Sequence, residues 1–92
     1  MRVYYYLNYI SGEKTTDFKK KRKRCDEVFN YCKQHKHEFI SCDRVGTIIH
    51  FALDNKAGIK FILVAENESI LPPIKEPYKF VKTDDFLKGR LE

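Results

Sequence analysis

The segment from Thr47 to Ala65, TIIHFALDNKAGIKFILVA, holds two apolar runs of strand length separated by five polar or small residues. The runs Thr47–Leu53 and Ile59–Ala65 are rich in β-branched and aromatic side chains, as strands are. Asn55 and Gly58, between the runs, suit a hairpin loop because both residue types tolerate the positive φ that such loops require. The segment therefore predicts a β-hairpin and, with it, an antiparallel sheet.

Both faces of this predicted hairpin are apolar. Alternation places Phe51 and Phe61 on one face, whereas the other face carries four further side chains: Ile48, His50, Ile62 and Val64. A small antiparallel sheet normally has one solvated face with polar side chains. We therefore expect the second face to be covered, either by the proline-containing segment Pro72–Tyr78 or by another protein chain.

The rest of the chain predicts a long helix between shorter elements. Residues Arg2 to Ile10 alternate as a strand does. Residues Asp17 to about His37 predict a helix, because apolar residues such as Cys25 and Cys32 recur on one helical stripe. Three shorter elements are predicted besides: strands at Glu38–Cys42 and Tyr78–Val81, and a helix at Asp84–Leu91.

These elements predict an α+β fold in a single domain over residues 1–92. A small antiparallel sheet packs on one long helix, and the order of elements is β-α-β-β-β-(β)-α. A chain of 92 residues is long enough for one hydrophobic core but not for two. Seven Phe and six Tyr supply large side chains to fill that core.

Six consecutive cations form the most unusual feature of the sequence: Lys19, Lys20, Lys21, Arg22, Lys23 and Arg24. They lie near the start of the predicted helix, where the helix dipole disfavours positive charge. Clustered cations bind phosphates and release counterions, so the run predicts contact with nucleic acid or another polyanion, or with an acidic protein surface. Two alternatives remain open: a solvated helix face and a nuclear localisation signal.

A second candidate surface lies on the sheet. Tyr is enriched at protein interfaces, and the outer face of the sheet is predicted to carry both Tyr and apolar groups. This predicted interface consists of Tyr4, Tyr6, Ile48, His50 and Val64. It favours a protein-binding regulator or inhibitor, or a homo-oligomer.

Composition and cysteine usage narrow the class of protein. The formal net charge is +5, and the three cysteines are an odd number without a secretory signal before them, so we expect a cytoplasmic protein, or a nuclear one in a eukaryote. No apolar stretch approaches the roughly 20 residues that cross a bilayer, so we expect no membrane contact.

Cys25 and Cys32 are predicted to be buried and reduced. No zinc spacing, cofactor motif or acid–base pair is recognisable, and we predict no metal, no cofactor and no catalytic residue.

The small size, the basic balance and the helix-then-hairpin order resemble the architecture of RelE-like ribonuclease toxins. This resemblance implies a small ribonuclease as one further function, but no catalytic residue of that family is matched here. The sequence favours a small basic binding protein that contacts a polyanion through Lys19 to Arg24.

Overall fold

The computed structural model describes residues 1–8, 12–42, 53–73 and 78–89. Its elements, in chain order, are β1 (Arg2–Tyr6), α1 (Thr15–Gln34), β2 (Glu38–Cys42), α2 (residues 53–57), β3 (Phe61–Ala65), a 3₁₀ turn (Glu68–Ile70), β4 (Phe80–Lys82) and α3 (Thr83–Leu87). The four strands form one sheet in the order β2-β1-β3-β4. Every neighbouring pair is parallel, so this is an α/β fold.

The predicted antiparallel α+β sheet is therefore wrong. In the observed register Val3 lies beside Ile62, and Tyr5 lies beside Val64. Four consecutive residues of β1 and four of β3 are buried, which means that both faces of these strands are covered. Continuous apolar runs of this kind are typical of parallel strands, which are packed on both sides. The two apolar faces noted in the sequence were a sign of parallel pairing.

The predicted hairpin is also wrong, because residues 53–57 are helical instead of forming a strand end and a loop. Gly58 has a φ of 73° and closes α2. Its backbone N–H donates to the carbonyl of Asn55, and the N–H of Ile59 donates to the carbonyl of Asp54 at 3.0 Å. This is the Schellman arrangement at a helix C-terminus. Gly58 thus serves to end a helix, and residues 47–52 lie outside the described residues.

The long helix is confirmed, with shifted ends. It begins at Thr15 and ends at Gln34, where Lys36 takes a left-handed φ of 57° and the N–H of His37 donates to the carbonyl of Cys32. The buried stripe consists of Cys25, Val28 and Cys32. The flanking Phe18 and Phe29 remain exposed.

Two apolar layers cover the sheet. On one face, Val3, Tyr5, Ile62 and Val64 pack with the buried stripe of α1 and with Phe86 of α3. On the other face, Tyr4, Tyr6, Leu63 and Ala65 pack with side chains from the 66–73 and 78–80 stretches, among them Ile70, Leu71, Tyr78 and Phe80. The face that carries Ile62 and Val64 is covered as expected, but α1 and α3 cover it in place of the expected Pro72–Tyr78 segment or a second chain.

The shorter predicted elements are close to the observed ones. The strand Glu38–Cys42 is confirmed as β2, the edge strand next to β1. The last strand is Phe80–Lys82 instead of Tyr78–Val81, and α3 ends at Leu87. All strands begin at one edge of the parallel sheet, the amino edge, and finish at the other, the carboxyl edge.

Candidate polyanion-binding site

The carboxyl edge has a crevice between β1 and β3. The chain leaves β1 through α1 to reach β2 on one side, and later returns to place β3 on the other side of β1. The segments that follow β1 and β3 therefore diverge, and parallel sheets bind ligands at such topological switch points. Leu7 and Asn8 follow β1, and Glu66 and Asn67 follow β3.

Two adjoining cavities occupy this edge. A groove of about 440 Å³ lies along the first half of α1 and is lined by Lys20, Lys21, Lys23, Arg24, Glu27 and Glu66. A smaller pocket of about 210 Å³ lies over the ends of β1 and β3. The cavities share Lys21 and Glu66 in their walls. The basic run therefore borders the crevice of the sheet.

Lys21 ties the start of α1 to the end of β1. Its Nζ donates to the backbone carbonyl of Asn8 and pairs with the carboxylate of Glu13. Lys21 is partly buried, and so is Asn8. This cation therefore holds the segment after β1 in place, and one positive charge of the run is used inside the protein.

Arg24 is held by three carboxylates. Its Nε donates to Glu66 at 2.8 Å, one terminal nitrogen donates to Glu27 at 2.9 Å, and the other pairs with Asp84. These contacts join α1 to the residue after β3 and to the start of α3. The hydrogen bond from Arg24 also lowers the pKa of Asp84. Arg24 is a second cation of the run that is engaged within the chain.

The other four cations point to solvent, and we refer to them as the basic ridge: Lys19, Lys20, Arg22 and Lys23. Arg22 lies 3.8 Å from Asp26, and both of these side chains are more than three-fifths exposed, so the pair is weak. The basic ridge lies in the half of α1 that begins at the carboxyl edge. Its charges remain available to a ligand.

The predicted sheet interface is not brought together as one surface. Tyr4 is fully buried and Tyr6 is 6% exposed, both under the 66–73 and 78–80 stretches. Val64 is fully buried on the opposite face, beneath α1, because parallel pairing sets it beside Tyr5. Ile48 and His50 lie outside the described residues.

The amino edge has a hydrogen-bonded cluster that the sequence did not reveal. The Tyr4 hydroxyl donates to the Asp54 carboxylate, and Arg2 donates to Asp54 and to Glu38, each at 2.9 Å. Asp54 is only 5% exposed. Burial and the bond to Asp54 raise the pKa of Tyr4 to about 12. The cluster joins α2 to β1 and β2.

The predicted burial of the two helix thiols is confirmed. Cys25 and Cys32 are buried and free, and burial raises the pKa of Cys32 to about 11. His35 stacks on Tyr31, with ring centroids 4.1 Å apart, which gives it a packing role. Within the described ranges, no three His, Cys, Asp or Glu side chains are grouped in a way that would hold a metal ion.

Glu66, Asn8 and Asn67 are the site residues that sequence reasoning missed. Each directly follows, or lies within two residues of, an apolar strand run, so a parallel pairing of YYYL and FILVA would have placed them together.

Comparisons with protein-family models, with curated proteins and with solved structures found no match for this chain. Among the described residues, no helix combines the length and apolar character that crossing a membrane requires.

Proposed function

We propose that this protein binds nucleic acid as a polyanion, through the basic ridge and the groove beside it. The observation that carries the proposal is that the basic ridge is exposed along the half of α1 that borders the switch-point crevice. The groove is lined by four cations and two carboxylates, so positive charge predominates there. A nucleic acid carries a phosphate on each nucleotide, so a groove with several cations can contact several of its phosphates at once.

The partners of Lys21 and Arg24 divide the basic run into two classes. Lys21 and Arg24 stabilise the fold by pairing with carboxylates, and Lys21 also donates to a backbone carbonyl. The side chains of the basic ridge are exposed instead. A test of binding must therefore leave Lys21 and Arg24 intact. Replacing Arg24 would also remove contacts with Glu27, Glu66 and Asp84, and would confuse binding with stability.

The test is a triple variant, Lys19→Gln, Lys20→Gln and Lys23→Gln, assayed by fluorescence anisotropy with a labelled single-stranded oligonucleotide over a range of salt concentrations. Gln keeps the helix propensity of Lys, and the loss of like-charge repulsion leaves stability equal or slightly higher. We expect weaker binding and a slope of log K against log salt that is flatter by about two, because up to three phosphate contacts are lost.

A matched control removes the same charge from the amino edge. Lys33, Lys56 and Lys60 are exposed, and they lie at the end of α1, in α2 and just before β3. The triple variant Lys33→Gln, Lys56→Gln and Lys60→Gln should keep most of the affinity. If both triple variants bind equally, or if the unaltered protein binds no oligonucleotide at low salt, the proposal is overturned.

The two other functions predicted from the sequence receive no support of this kind. The protein-binding regulator was predicted from Tyr4, Tyr6, Ile48, His50 and Val64. The chain itself buries Tyr4, Tyr6 and Val64, and the other two lie outside the described residues. The ribonuclease toxin was suggested by a helix-then-hairpin order, whereas β3 pairs in parallel with β1 and β4. Neither has an observation in its favour, so nucleic-acid binding is our only proposal.

A further inference from the structure

We infer that the pocket over the ends of β1 and β3 receives a single unpaired nucleobase, while the adjoining groove holds the phosphates of the same strand. This inference rests on the proposed function and names its substrate class, which is single-stranded nucleic acid. A base in a duplex is stacked and paired, so its edge and faces are unavailable to such a pocket.

The pocket has the mixed lining that flat heterocycles need. Tyr5, Tyr6, Leu7 and Ile70 provide apolar walls, and Leu7 and Ile70 are only partly buried. Two amides, from Asn8 and Asn67, also line this pocket. Ligand sites typically combine predominantly apolar walls with a few polar groups that fix orientation. An apolar wall suits the face of a base, and amides match the donors and acceptors of its edge.

Both amides retain hydrogen-bonding capacity. No described residue hydrogen-bonds with the side-chain amide of Asn8, whose backbone carbonyl is held by Lys21. The Ser69 hydroxyl donates to Oδ1 of Asn67, and this leaves the Asn67 amide nitrogen to act as a donor. The Asn8 side chain is partly buried and that of Asn67 is exposed, so a base edge would take the place of water as the hydrogen-bond partner of these amides.

The sizes of the two cavities favour a ligand that spans both. The pocket of about 210 Å³ is smaller than the roughly 300–1,000 Å³ of sites that hold a complete small molecule, and it opens beside the larger groove at Lys21 and Glu66. Lys20 and Lys23 line the groove together with these shared residues. The arrangement provides positions for a base in one cavity and for negatively charged groups in the other.

The test compares two probes that carry the same number of phosphates: a mixed-sequence single-stranded oligodeoxynucleotide and an oligomer of the same length made of abasic units. Both bind the basic ridge, but only the first can fill the pocket. We expect the base-containing probe to bind roughly tenfold more tightly than the abasic probe. Asn8→Ala and Asn67→Ala should each reduce this preference and leave the affinity for the abasic probe unchanged.

Asn30→Ala is the matched control, because Asn30 is exposed on the second half of α1 and should leave both affinities unchanged. If both probes bind equally and still depend on the basic ridge, the base pocket is overturned and the proposed function stands. If neither probe binds, the proposed function fails and the pocket inference fails with it. A preference for bases that survives in both Asn8→Ala and Asn67→Ala places the base elsewhere and also overturns the inference.

Discussion

Each edge of the sheet holds one arginine surrounded by carboxylates, Arg2 at the amino edge and Arg24 at the carboxyl edge. At the amino edge the shared carboxylate, Asp54, is almost completely buried and also accepts a hydrogen bond from the buried Tyr4. At the carboxyl edge Glu66 is exposed, and it forms part of the wall of both cavities. The ion pairs are chemically similar, but their surroundings differ.

This difference determines what each cluster can do. Removing one partner from a buried cluster leaves a polar group without water or a partner, which is costly. Removing one partner from an exposed cluster costs little, because solvent takes its place. The amino edge is therefore suited to holding α2 against β1, and the carboxyl edge is suited to exchanging its internal contacts for those of a ligand.

The largest expected effect is at the amino edge. Asp54→Ala should lower the free energy of unfolding by about 2 kcal/mol, because the buried Tyr4 hydroxyl loses this acceptor. Urea unfolding followed by circular dichroism measures the change. The control is Asp26→Ala, which removes an exposed carboxylate of a weak pair on α1 and should change stability by no more than about 0.5 kcal/mol. Equal losses in the two variants would contradict the contrast between the edges.

A smaller effect is expected at the carboxyl edge. Glu66→Gln removes a negative charge from the wall of the groove, so affinity for a single-stranded oligonucleotide should rise by a factor of about three. Unfolding free energy should change far less than in Asp54→Ala, because Glu66 is exposed. Anisotropy titrations and urea unfolding on the same preparation test both statements. Weaker binding together with a large loss of stability would show that Glu66 is structural.

The smallest effect concerns pH at the amino edge. Burial lowers the pKa of His37, whose Nδ1 has no hydrogen-bond partner within the described part of the chain. The unfolded chain therefore takes up a proton near pH 6.5 before the folded chain does, and stability should fall as the pH drops through this range and stay constant above it. Unfolding curves at several pH values measure the fall. The variant His37→Gln should reduce it, and an identical pH dependence in both proteins would refute this role.

Local patterns in the sequence were sufficient for several elements. The spacing of five apolar residues identified α1: Phe18, Cys25, Val28, Phe29 and Cys32. Of these, Cys25, Val28 and Cys32 are buried as predicted, whereas Phe18 and Phe29 are exposed. The strand at Glu38–Cys42 and the burial of the two thiols were also predicted correctly. The spacing of apolar residues within a helix or strand is fixed by the geometry of that element, so it can be recognised without knowledge of the tertiary contacts.

Pairing direction was not available from the same patterns. The residues before the run Ile59–Ala65 are typical of a turn, so the sequence predicts that this run forms a hairpin with Thr47–Leu53. Gly58 suits a helix end as well as a hairpin loop, since both require positive φ. The deciding sign was the absence of a polar face in β1 and β3, which fits strands covered on both sides.

The helix, the strand-forming runs and the position of six cations in one half of α1 follow from local spacing and charge along the chain. Which of these cations are used internally depends on the three-dimensional fold: Lys21 and Arg24 contact Glu13, Glu66 and Asp84 at the carboxyl edge, while the basic ridge faces solvent. The fold also brings Asn8 and Asn67 into one pocket. Contacts between residues far apart in the chain depend on strand order, and strand order follows from how the whole chain buries its apolar faces.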